Sequence, residues 1–117
     1  MDYHAEKTHA HNVQRIAKLN DQLRRTGQGG KLMLSRAVAT LDQFKLSQIV
    51  AAVRAFDAFT PDNDPWGEHD FGQVVVEGET FFWKIDAYDL NLEFGSPDPS
   101  DDTITRRVMT VMTAADL

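Results

Sequence analysis

Apolar residues recur every three or four positions in some stretches of this chain and every second position in others, and the change of period lays out its elements. Val13, Ile16, Leu19 and Leu23 carry a narrow helical stripe with charges between them, predicting a helix over 9–26. Such a stripe suits docking onto a domain edge or pairing with a second copy of the chain. Gly27, Gly29 and Gly30 end it. Lys31 to Val38 is short, apolar and bounded by glycines, and reads as a strand. A second helix is expected from Asp42 to Ala58, with Phe44, Leu46, Ile49, Val50, Val53 and Phe56 following the helical period. Thr40 or Asp42 caps its start, and Thr60-Pro61 closes it.

Residues 60–69 (TPDNDPWGEH) form a loop. Asp70 to Val76 and Glu79 to Tyr88 are β-prone runs around Glu77-Gly78, a hairpin signal. Leu92 to Phe94 is a candidate short strand, and Gly95 to Pro99 a turn. Ser100 or Asp101 then caps a last helix to Thr113, with Ile104, Val108, Val111 and Met112 on one face. The order α-β-α-β-β-(β)-α predicts an α+β fold of two layers, an antiparallel β-sheet with helices packed on one face. The division expected is a flexible N-terminal tail over 1–12 and a single α+β domain over 13–117.

The hairpin also places side chains, because they alternate between the faces of a sheet. A turn at 77–78 puts Val74, Val76, Phe81, Trp83, Ile85 and Ala87 on the face that meets the helices. Phe71, Gln73, Val75, Phe82, Lys84, Asp86 and Tyr88 share the other face. Extending the register sets His69 across from Asp86 beside Lys84, framed by Phe71, Phe82 and Tyr88. An imidazole oriented by a carboxylate next to a cation is a candidate catalytic cluster. Ordinary cross-strand charge pairing on a solvated face is the bland alternative. No Ser or Thr on that face completes a nucleophilic triad.

Charge sharpens the picture. Residues 1–58 hold 9 Lys/Arg and 5 Asp/Glu, a balance of +4, whereas residues 59–117 hold 3 and 13, a balance of −10, within a net charge of −6. An acidic half repels phosphate backbones, so direct nucleic-acid binding is disfavoured and a protein partner with a basic surface is favoured. Trp66, Phe71, Phe82 and Tyr88 with Asp62, Asp64 and Asp86 form an aromatic and acidic cluster suited to anchor it. With no cysteine in the chain, disulfides, zinc–thiolate sites and thiol catalysis are excluded. The apolar runs are too short for a membrane span, and the polar N-terminus lacks a secretory signal, so a cytoplasmic protein is expected.

Other motifs are weaker. Asp62, Asp64, Glu68 and Asp70 alternate like hard-cation ligands, but Trp66, Pro65 and Gln73 break the calcium-loop template, leaving only an irregular metal site as an option. His4, His9 and His11 lie in the tail. Thr26-Gly27-Gln28-Gly29-Gly30, flanked by Arg24, Arg25 and Lys31, has the glycine content of an anion-binding nest without the Walker ending, and a helix stop followed by a flexible link accounts for it as well. No cofactor is implied.

From about residue 14 onward, the segments LNDQLRRTGQGGKLMLSRAV, VRAFDAFTPDNDPWGEHDFG, FFWKIDAYD and LEFGSPDPSDDTITRRVM resemble a family of short bacterial proteins known only as a domain of unknown function. The resemblance implies a bacterial, often mobile-element-borne protein and carries no catalytic residues with it. The leading expectation is a non-enzymatic protein-binding module or inhibitor. A small hydrolase or metal-dependent enzyme using His69, Lys84 and Asp86 is the rival, and homodimerisation through the first helix a further option.

Overall fold

The structure, a computed structural model, describes the backbone of residues 3–117 and the side chains from Asn12 onward. The expected tail over 1–12, with His4, His9 and His11, lies largely outside the described side chains. Helix α1 spans Tyr3–Thr26, strand β1 Gly30–Leu34, the single turn α2 Arg36–Ala39 and helix α3 Gln43–Ala55. Strands β2 (Phe71–Val76), β3 (Glu79–Tyr88) and β4 (Arg106–Thr113) follow. The fold is α+β, with the helices packed on one face of a four-stranded sheet of order β1-β4-β3-β2. Both pairs that contain β3 are antiparallel, and β1 runs parallel to β4.

The hairpin forms in the register that its alternation predicts, with Val76 opposite Glu79 and Gly72 opposite Trp83. Glu77 and Gly78 both adopt positive φ, the geometry of a two-residue turn matched to strand twist. Val74, Val76, Phe81, Trp83 and Ile85 enter the core with Leu23, Val38, Ile49, Val53, Met109 and Val111. Gly72 is buried against the Trp83 indole, where a Cβ would sit 2.7 Å from Nε1, so any side chain here would force the indole or the strand to shift.

The expected last helix is instead β4, a central strand. Val108, Thr110, Val111 and Thr113 are β-branched and lose rotamer freedom in a helix. The inward positions are Thr105, Arg107, Met109 and Val111, all buried. An arginine at an inward position hides the period of two, while Ile104, Val108, Val111 and Met112 fall by coincidence at helical spacing. The core face is therefore covered by α1, α2 and α3, with no fourth α-helix among the described residues. Leu92 to Phe94 is not a strand; only an isolated bridge joins Tyr88 and Gly95. The strand expected over Lys31 to Val38 ends at Leu34, because Ser35 Oγ accepts from the Val38 amide and starts α2.

Helix α3 is capped by Asp42, which accepts from the Lys45 amide at 2.8 Å, and ends at Ala55, before the expected Ala58. Ile49 and Val53 are buried, whereas Phe44 is 70% exposed. Nine residues separate Phe44 from Val53, which sets them roughly 180° apart around a helix. Helix α1 buries Ile16, Ala17, Asn20, Leu23 and Arg24, so the described part of its stripe is used inside the chain's own fold. Among the described residues no helix is long and apolar enough to cross a membrane.

Candidate binding surface

The sheet face away from the helices carries Phe71, Gln73 and Val75 on β2, and Phe82, Lys84, Asp86 and Tyr88 on β3, as their shared parity requires. The register adds Val108 and Thr110 of β4 and Met33 of β1. The Phe71 and Phe82 rings stack with centroids 5.9 Å apart. Lys84 Nζ lies 3.1 Å from Asp86 Oδ2, with both side chains well exposed. Four of the expected residues of this face (Phe71, Phe82, Lys84 and Asp86) thus gather in two contacts, and Tyr88 stands half-buried at the end of β3.

His69 does not join them. Its φ of +56° turns the chain into the left-handed region just before β2 begins, so the period of two stops short of it. The ladder closes at Asp70, whose carbonyl accepts from the Ile85 amide. The His69 ring is stacked on Phe59, with centroids 3.9 Å apart and planes within 2°. Its Nδ1 is 3.0 Å from an Asp21 carboxylate oxygen, and Nε2 is 3.6 Å from Asp64 Oδ2. The imidazole is oriented by Asp21 and Asp64 rather than by Asp86, the partner that the extended register set across from it.

Asp21 belongs to an inward polar group on α1. It pairs with Arg24 at 2.8 Å, and Arg24 is fully buried with its guanidinium carbon 5.2 Å from both the Phe59 and Trp83 ring centroids. Arg24 Nε and Nη2 have no hydrogen-bond partner among the described residues. Their faces meet aromatic rings instead, a desolvated cation–π arrangement. Asn20 donates to the Glu68 carbonyl at 2.9 Å and accepts from Arg107 Nε at 3.0 Å. Asn20, Asp21, Arg24 and Phe59 escape a reading by hydrophobic period, because polar residues at 20, 21 and 24 look like a solvated helix face. For Asn20 and Arg24 the mark in the sequence is spacing: 16, 17, 20, 23 and 24 form one helical face.

The loop 60–69 is thereby tied to α1, on the helix side of the sheet. Asp64 is turned inward, and its Oδ1 also accepts from the His69 amide. Trp66 is 80% exposed and Asp62 exposed. The expected cluster is therefore split, with Trp66, Asp62 and Asp64 in the loop and Phe71, Phe82 and Tyr88 on the open sheet face. Among the described residues no group of three or more His, Asp or Glu is arranged to hold a metal ion, so Asp62, Asp64, Glu68 and Asp70 do not converge. Burial, with the charges of Asp64 and Asp86, holds the Asp70 carboxyl above its ordinary value, while His69 opposes the shift.

The feature that separates β2 from its neighbours is its outer edge. A two-residue turn makes Val76 and Glu79 a hydrogen-bonded pair, so Val74, Gly72 and Asp70 also bond to β3, and the Asp70–Ile85 bond at 2.8 Å agrees. The amides and carbonyls of Phe71, Gln73 and Val75 consequently point outward, and no described residue bonds to them. Over its six residues β2 has no charge and no proline, and Val75 is 64% exposed. It lacks the devices that usually blunt an edge strand.

Over residues 34–116 the chain matches the family described as Protein of unknown function (DUF3768). The chain belongs to DUF3768. Most of the fold, from the last residue of β1 through β4, lies inside the matched segment of this DUF3768 protein, and α1 with the glycine turn lies outside it. No match was found among curated proteins or among solved structures.

Proposed function

We propose that this DUF3768 protein is a non-enzymatic protein-binding module that takes an extended segment of a basic partner onto the β2 edge, beside the open sheet face. The observation that carries the reading is the unblunted edge, where six outward backbone groups of Phe71, Gln73 and Val75 are free to extend the ladder. Phe71, Phe82 and Val75 offer apolar contact for alternate side chains of the incoming strand. Asp70 and Glu77 border the edge and, with exposed Asp62, favour Lys or Arg on the partner, while the Glu79 carboxylate is taken by Lys45 of α3. A bacterial, mobile-element setting fits an inhibitor that occupies a nucleic-acid-binding protein in the cytoplasm. The rival reading, a hydrolase or metal-dependent enzyme on His69, Lys84 and Asp86, draws no support from the geometry, since His69 is held by Asp21 and Asp64 while Lys84 pairs with Asp86.

Selection of a displayed random-peptide library against the full chain tests the proposal. Enriched peptides are expected to alternate apolar residues, to carry Lys or Arg, and to lose binding when Gln73→Pro removes a central outward amide. Peptides that bind Gln73→Pro as well as the parent would overturn it.

A further inference from the structure

At the end of the sheet opposite the hairpin turn, the glycine turn before β1 and the loop after β3 enclose a cleft of about 600 Å³. Two exposed cations line it, Lys31 and Arg106, against a single acid, Asp102, in a chain whose net charge is −6, while the side chain of the neighbouring Arg107 turns to the helix side of the sheet. Neither Lys31 nor Arg106 forms an ion pair among the described residues. Arg107 is only 2% exposed, and its guanidinium donates to neutral acceptors, the Asn20 side-chain oxygen at 3.0 Å and the Pro99 carbonyl. Burial lowers its pKa from the ordinary arginine value, Asp102 opposing this shift and Arg15 adding to it. Arg107 is thus held inside the fold, and Lys31 and Arg106 are the cations left open to the cleft.

The walls explain why the cleft stays open and what shape of ligand suits it. A Cβ at Gly30 would stand 2.4 Å from the Arg107 carbonyl oxygen, so glycine alone lets the start of β1 close against β4 beneath the cleft. Across from the cations, Leu90 and Leu92 are half exposed. Leu92 is held at a φ of +60° by a turn in which its amide donates to the Asp89 carbonyl, an unusual conformation for this residue that presents it in the cleft lining.

The geometry points to a binding site for a small organic anion, with a phosphate or carboxylate head on Lys31 and Arg106, which share the open face of the sheet, and an apolar body on Leu90 and Leu92. Guanidinium forks match both heads, and partly apolar walls strengthen the attraction over that in open water. The site lies at the β1–β4 side of the sheet, away from the β2 edge, so it stands independently of the strand-binding reading.

Titration of the isotopically labelled full chain by NMR, with phenyl phosphate, benzoate and inorganic phosphate as probes, tests it. Phenyl phosphate is expected to shift the amides of Gly29, Gly30, Leu92 and Thr105 together and to saturate, more tightly than inorganic phosphate; comparison with benzoate tells which head is preferred. The double variant Lys31→Ala/Arg106→Ala, both at exposed positions, should weaken phenyl phosphate by about tenfold or more, and Asp102→Asn should tighten it. Shifts that scatter over the surface without saturating, equal affinity for inorganic phosphate, or binding that survives the double variant would each overturn the proposal. If the double variant fails to fold, Asp102→Asn decides alone, since unchanged or weakened binding there contradicts the assigned charge.

Discussion

Single residues in this fold are most exacting where backbone and ring meet. At Gly72 an added methyl would lie within 2.8 Å of three Trp83 indole atoms, and Trp83 is fully buried between the sheet, Phe56 and Phe59. Gly72→Ala is expected to cost about 1–3 kcal/mol in urea unfolding with an unchanged slope. A loss below a few tenths would mean that the indole has room to move. Asp70 makes a pH prediction. Its carboxyl is held above the ordinary 3.8, chiefly by burial, so the fold favours the protonated form, and that contribution is lost as the pH rises through the raised value. Asp70→Asn should therefore raise Tm at pH 7, and the difference should close as the pH falls below the ordinary carboxylate range. An unchanged or lower Tm at pH 7 would show that the carboxylate is favoured after all. Extending the hairpin register set His69 beside Asp86, and the structure sets it beside Asp21 and Asp64 instead. That placement was hidden, because it depends on a positive φ at 69 and on Asp21, which arrives from a helix 48 positions earlier.

Among elements, the hairpin was legible and β4 was not, for a common reason. In β2 and β3 the inward positions are apolar apart from Gly72 and Glu79, which begins β3 and pairs with Lys45 of α3, so period two is visible and fixes face and register together. In and just before β4 the inward set includes Thr105, which bonds to Ser96 and to the Asp98 and Asp101 carbonyls, and Arg107, whose polarity is answered by the Pro99 carbonyl and by Asn20, 87 positions earlier. Long-range satisfaction of a buried polar group leaves no local trace. The open-face grouping of Phe71, Phe82, Lys84 and Asp86 follows from the visible period, whereas the position of Trp66 and Asp64 depends on the loop's attachment to α1. The alternation in β2 has a consequence for proline. Gln73→Pro removes an outward amide and should leave Tm nearly unchanged, while Val74→Pro removes an inward ladder bond and a core side chain and should cost about 3 kcal/mol or more. Equal losses at the two positions would contradict the assigned bonding pattern.

At the scale of the whole molecule, the acidic half of the chain supplies the strands next to the free edge, and the more basic half supplies the helices behind them. Partner choice at the edge should accordingly weaken with salt, since exposed charges separated by about 10 Å are largely screened at 0.1 M. All of this depends on the β2 edge being uncovered. Native-state amide hydrogen exchange of the full chain tests that most directly. The amides of Gly72, Val74 and Val76 should exchange slowly, and those of Phe71, Gln73 and Val75 in the same strand far faster. Uniform protection of all six would show the edge already occupied, and would contradict the account.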